Sequence, residues 1–186
     1  MNCINPEEAA HLLRQGKIVA YPTEAVFGLG CDPNQQSALE YLLALKARPA
    51  EKGLILIASH IAQIMPYLDL TTLSSLKWEA IQKTWPGPYT WVFPASAKVH
   101  PLVRGQYPTV AVRVTAHPAA SQLCQAFGGA IVSTSANVAS EAPFTTACQV
   151  YDFFTDKIAG ILEGEVGALQ APTPIQDART GAMYRV

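Results

Sequence analysis

Ser133-Thr134-Ser135-Ala136-Asn137 places three hydroxyls and a carboxamide directly after the apolar run Ala130-Ile131-Val132. A buried strand there delivers hydrogen-bonding groups to its C-terminal mouth, where open α/β sheets bind ligands. A chain that only had to turn needs a single Gly, Asn or Asp. The second cluster is Lys46-Ala47-Arg48-Pro49-Ala50-Glu51-Lys52, with three cations in seven residues. Arginine offers a planar fork to phosphate oxygens, and lysine a mobile point charge. Together the two clusters suit an anionic, hydrogen-bonding small molecule, with phosphate the leading candidate. The plainer alternatives are a polar turn for the first and, for the second, cations complementing a helix dipole, worth about 0.3–1 kcal/mol.

Arg113 lies inside the apolar strand pattern Val110-Ala111-Val112-Arg113-Val114, where an unpaired cation is expensive. It must meet either a structural carboxylate or a ligand anion. Tyr21 to Gly30 carries two glycines but neither a P-loop nor a dinucleotide fingerprint. Within it Glu24 reads as a solvated carboxylate, with a base or a cation partner as the alternatives. No Ser/His/Asp or Cys/His nucleophile signature is present, which favours positioning and charge stabilisation over covalent catalysis. His11, His60, His100 and His117 lack metal-ligand spacing. Cys3, Cys31, Cys124 and Cys148 are scattered without a C-x-x-C, and read as reduced cytosolic thiols buried as small apolar side chains.

A scaffold must hold these groups. Asn5-Pro6-Glu7-Glu8 supplies an N-cap, a proline at N1 and an acidic first turn, predicting a helix to about Gly16. Residues 17–21 predict a short strand stopped by Pro22, and residues 23–34 a Gly-punctuated loop. Leu39, Leu42, Leu43 and Leu45 predict a helix running to about Lys46 and ending before Pro49. Further helices are expected near 60–68, 71–84, 118–127 and within 145–157. Strands are expected at 54–58, 89–93, 109–114, 130–135, 160–162, 173–177 and 183–186. About seven strands interleaved with helices make a layered α/β domain. Strands 89–93 and 109–114 follow one another without a helix, so the sheet is mixed.

Composition narrows the function. With 49% hydrophobic and 15% charged residues, 186 residues form one domain, 1–186, with a large core and no long disordered segment. A net charge of −1 excludes a wholesale electrostatic nucleic-acid binder but leaves room for a local basic patch. The first residues show no signal-peptide pattern, and no apolar run approaches the roughly 18–20 residues of a membrane span.

Taken in order, Tyr21-Pro22-Thr23-Glu24 with Gly28-Leu29-Gly30, Lys46-Ala47-Arg48-Pro49, Trp85-Pro86-Gly87-Pro88-Tyr89-Thr90, Val110-Ala111-Val112-Arg113-Val114 and Ser133-Thr134-Ser135-Ala136-Asn137 resemble the YrdC/Sua5 family. The likeness runs from about Tyr21 to the C-terminus, at the length of the short bacterial form. It implies a three-layer α/β domain with a twisted, mixed parallel/antiparallel sheet and a concave basic cavity. It also implies a cytoplasmic nucleotidyltransferase: L-threonine, bicarbonate and ATP, with Mg²⁺ carried by ATP and no protein metal site, give threonylcarbamoyl-adenylate and pyrophosphate. Partner proteins then transfer the threonylcarbamoyl group to tRNA beside the anticodon. By resemblance Lys46 and Arg48 serve the triphosphate and the chemistry. Ser135, Asn137 and Arg185 serve the nucleotide, and Thr23, Arg113, Ser133 and Thr173 serve threonine and its carbamate. The chain departs from the family pattern at Ala25 and Phe27, where hydroxyls are usual, at 138–140, and in Ala171-Pro172-Thr173-Pro174-Ile175-Gln176-Asp177. Two rival readings are an RNA-binding or ribosome-maturation module, with tRNA or double-stranded RNA in the basic concavity, and a carbamoyl-adenylate domain like those of hydrogenase-maturation carbamoyltransferases.

Overall fold

A computed structural model describes residues 3–138 and 141–185, so Met1, Asn2, Val186 and the family departure at Ala139-Ser140 lie outside the described residues. Its strands are β1 (Cys3–Ile4), β2 (Val19–Pro22), β3 (Phe27–Gly30), β4 (Ile55–Ala58), β5 (Thr90–Pro94), β6 (Thr109–Val114), β7 (Ile131–Ser135), β8 (Gly160–Leu162), β9 (Ile175–Asp177) and β10 (Met183–Arg185). The helices are α1 (Pro6–Arg14), α2 (Gln36–Leu45), α3 (Ile61–Ile64), α4 (Ser75–Gln82), α5 (Pro101–Arg104), α6 (Pro118–Phe127) and α7 (Ala147–Phe154). The strands form one sheet in the order β1-β8-β2-β3-β7-β4-β6-β5-β9-β10. Pairing is parallel at β1·β8, β2·β8, β4·β6 and β5·β9, and antiparallel at the other junctions, including β5·β6.

The sheet thus has ten strands rather than about seven. β1 is two residues long and borrows its ladder from β8, too short to show a period. β3 was expected to be loop because Gly28 and Gly30 weaken a strand pattern. Those glycines have a packing reason. The Tyr21 ring lies across them, and a Cβ on Gly30 would stand 2.7 Å from the ring and 2.8 Å from the Val132 carbonyl. Tyr21 bridges β2 to β7 by donating its phenolic hydroxyl to the Val132 carbonyl at 3.3 Å.

Strand alternation separates two cores. One face carries Phe27, Leu29, Leu56, Ala58, Val110, Val112, Val114 and Val132, covered by apolar residues of α2, α3, α4, α5 and α7. The other carries Val19, Tyr21, Ile57 and Ile131, covered by Ala9, Ala10 and Leu13 of α1 and Ala120, Leu123 and Cys124 of α6. The result is three layers. Full burial of a side chain such as Leu39 or Leu42 contributes about 1.5–3 kcal/mol.

Local signals explain the helix ends. Asn5 caps α1 in a reciprocal box with Glu8, as its sequence predicts. The stretch near 60–68 breaks into α3 and a 3₁₀ turn at Met65–Tyr67, where Pro66 interrupts an α-helical ladder. Cys31 and Cys124 are buried as expected, but Cys3 and Cys148 are exposed, so the four thiols are not equivalent. Cys3 lies on β1, the edge strand of the sheet. Among the described residues no helix is long and apolar enough to cross a membrane.

Candidate active site

α1 and α6 cover only part of their sheet face. Where they stop, the residues on this face turn mostly polar: Thr109 and Arg113 on β6, with Ala111 between them, and Ser133 and Ser135 on β7 line a cavity of about 450 Å³. Sequence reasoning placed this site at a mouth of carboxyl strand ends. β7 instead runs antiparallel to both β3 and β4, so its C-terminal end lies beside the start of β4, with Ser133 opposite Ile55. The site therefore spreads over a sheet face. Ile55 also pairs with Ala111, which puts Ser133 level with the middle of β6. From Thr109 to Arg113 the floor runs about 13 Å at 3.2–3.4 Å per residue.

One end of this floor is a lock built on Lys46, which is 3% exposed. Its ammonium donates to the Ser135 carbonyl, to the Asn137 carbonyl at 2.7 Å and to Asn137 Oδ1 at 2.7 Å. Ser135 Oγ donates to the same Oδ1 at 2.6 Å, and Asn137 Nδ2 donates to the Glu141 carbonyl at 2.6 Å. All three ammonium hydrogens are committed, and the carboxamide is used at both atoms. Burial, followed by the neighbouring Arg48 charge, pushes the Lys46 pKa down to about 8. Ala47, at φ 47°, is left-handed, which disfavours a residue with a Cβ by about 1–2 kcal/mol. That twist separates Lys46 from Arg48. Arg48 turns to the next loop and donates to the Gly53 carbonyl through Nε at 3.0 Å and Nη2 at 2.9 Å.

The other end is centred on Arg113. Glu24 is buried rather than solvated, with Oε2 3.3 Å from Arg113 Nη2. Glu24 Oε1 accepts from Thr115 Oγ1 at 2.6 Å, so a carboxylate from the loop between β2 and β3 is held firmly toward the cation on β6. Solvation was the wrong expectation because β2, β3 and the neighbouring loops close over the residue. Of the two answers left open for Arg113, the structural carboxylate is present, and the residue also lines the cavity. Arg113 Nη1 donates to Thr173 Oγ1 at 2.8 Å, while Arg185 reaches the Thr173 carbonyl through Nε at 2.9 Å and Nη2 at 2.6 Å. Burial and the nearby Arg113 lower the Arg185 pKa. Thr23 donates its hydroxyl to the Val26 carbonyl at 2.7 Å and lines the cavity. His117 Nε2 stands 2.9 Å from the Glu165 carbonyl, which can only accept, so the ring proton sits on Nε2.

The structure brings Thr23, Arg48, Arg113, Ser133, Ser135, Asn137, Thr173 and Arg185 to one cavity and sets Lys46 behind its wall. Lys52, counted only as part of the cation run, also lines it, as do Arg104 and Thr109, to which sequence reasoning assigned no role. Arg104 had no signal, since only the packing of α5 brings it there. Among the described residues no group of three or more His, Cys, Asp or Glu side chains could hold a metal ion.

The family model of Sua5, YciO and YrdC proteins, described as "Telomere recombination", matches residues 11–185. The chain belongs to the Sua5/YciO/YrdC family. Within this family it is 50% identical over 181 residues to a Vibrio vulnificus protein named threonylcarbamoyl-AMP synthase, covering 97% of each chain. It is 52% identical over 177 residues to a Halorhodospira halophila protein of the same name, covering 95% of this chain and 92% of that one. A solved P. abyssi Sua5 in complex with L-threonine superposes with a TM-score of 0.85 at 32% identity. That match covers 92% of this chain and 50% of the P. abyssi protein, so the chain spans about half of Sua5.

Proposed function

We propose that this chain condenses L-threonine, bicarbonate and ATP into threonylcarbamoyl-AMP, releasing pyrophosphate and water. The observation that carries the reading is the pair of cationic ends on one floor about 13 Å long. Arg113, Thr173 and Arg185 stand at one end, and Arg48, Ser135 and Asn137 at the other. Relatives named for this synthesis share about half of the residues along nearly the whole chain. The P. abyssi relative is solved with L-threonine.

In this reading Arg113 takes the threonine carboxylate, and Thr23 and Thr173 flank it. The threonine nitrogen forms a bond to the bicarbonate carbon, and water leaves. The carbamate oxygen, near Ser133, then bonds to the α-phosphorus as the bond to pyrophosphate breaks. Arg48, Ser135 and Asn137 hold the far part of the nucleotide and Arg185 the part that lies beside threonine, with Lys46 bracing the loop beneath. Mg²⁺ arrives on the triphosphate as part of the substrate and neutralises charge there. The whole chain acts as one cytoplasmic domain, its product passing to proteins that modify tRNA.

Charge complementarity makes a specific demand. Arg113→Ala should raise the threonine KM by at least tenfold, since a hydrogen bond to a charged group is worth about 1.5–3 kcal/mol, while leaving the ATP KM within about threefold. Steady-state kinetics with each substrate varied in turn reads this. Equal effects on both would remove Arg113 as the carboxylate ligand.

A further inference from the structure

Two glycines fix how α5 meets the loop after Arg48. Gly53, at φ 61°, would bring a Cβ within 2.8 Å of the Arg104 carbonyl, and Gly105, at φ 68°, within 2.5 Å of the Glu51 carbonyl. Main chain therefore abuts main chain, tied by Leu54 N–H to the Val103 carbonyl at 2.8 Å and Gln106 N–H to the Glu51 carbonyl at 3.1 Å. The same Gly53 carbonyl holds the Arg48 guanidinium. This contact sets Arg104, from a different part of the chain, on one rim with Arg48 and Lys52. Arg104 is exposed, lines the cavity, and its guanidinium has no hydrogen-bond or carboxylate partner among the described residues. Arg113, by contrast, is already matched by Glu24.

We propose that Arg104 is a specificity-determining residue that seats the β- and γ-phosphates of the nucleotide and the pyrophosphate they become. The inference rests on the nucleotide reading given above. Thr109 marks this end of the floor, about 13 Å along β6 from Arg113, so the group reaching Arg104 is the part of ATP farthest from threonine. An arginine fork bonds two phosphate oxygens at once, and an exposed one keeps most of its charge–charge gain at low salt.

The test is calorimetric binding of ATP, AMP and inorganic pyrophosphate to the full chain, its Arg104→Ala variant and Arg179→Ala, an exposed cation outside the cavity. The expected result is an approximately tenfold loss of ATP and pyrophosphate affinity in Arg104→Ala, with AMP changed less than about twofold and Arg179→Ala unchanged. ATP weakened no more than AMP, or the same loss in Arg179→Ala, overturns the role of Arg104. A wild-type chain that binds neither ATP nor pyrophosphate instead overturns the nucleotide reading itself.

Discussion

Lys46 and Arg48 stand two residues apart in one cationic motif, yet their replacement should have different consequences. Lys46→Met keeps the length and apolar stem of the side chain and removes the ammonium. Three acceptors then lose their donor: the carbonyls of Ser135 and Asn137, and Asn137 Oδ1. Oδ1 retains the Ser135 hydroxyl at 2.6 Å and the Ser135 carbonyl retains the Asn137 N–H at 3.1 Å, so the Asn137 carbonyl alone is stranded. A stranded buried acceptor costs about 1–3 kcal/mol, and relief of the buried ammonium's desolvation offsets part of it. A net destabilisation of about 1–3 kcal/mol follows, which at this chain length lowers the unfolding midpoint by about 2–12 °C. Arg48 is half-buried and has one principal acceptor, the Gly53 carbonyl. Arg48→Met should cost about 1 kcal/mol, or about 2–4 °C. Thermal unfolding followed by circular dichroism, with ATP affinity measured on the same samples, separates the roles. Lys46→Met within about 2 °C of wild type would refute the lock.

Two further outcomes are specific. The Lys46 pKa, lowered to about 8 by burial and by Arg48, must rise when the triphosphate binds nearby, because an anion favours the ammonium. The complex then holds more protons than the free protein, so ATP affinity should be flat to about pH 7.5 and fall by up to tenfold per unit above about 8. Calorimetry should show proton uptake at pH 8, and none would detach Lys46 from the phosphates. Gly30→Ala, facing the Tyr21 ring and a rigid carbonyl, should lose about 1–3 kcal/mol in denaturant unfolding. Gly28→Ala, whose nearest contacts would be 3.3–3.4 Å, should lose less, and the reverse order would contradict the ring packing.

The fold and much of the site were legible because buried polarity stands out against apolar runs. Arg113 among valines and Ser133–Asn137 after Ala130-Ile131-Val132 announced themselves by composition alone. What escaped depends on geometry that no local pattern encodes. β3 was hidden because Gly28 and Gly30 weaken a strand signal while making room for a tyrosine from the neighbouring strand. Glu24 looked solvated because its partners lie far along the chain at Arg113 and Thr115. Lys46 and Arg48 read as one pair because nothing in Lys-Ala-Arg shows that Ala47 adopts a left-handed conformation and parts them. Arg104 joins the cavity only through the meeting of two glycine backbones.

The most direct test of the central claim is pyrophosphate release from ATP and Mg²⁺ by the purified chain, with threonine or bicarbonate omitted in turn. The account predicts release only when both are present, together with a threonylcarbamoyl-adenylate product detectable by mass spectrometry. Release that needs neither, or none under complete conditions with firm RNA binding, would contradict it.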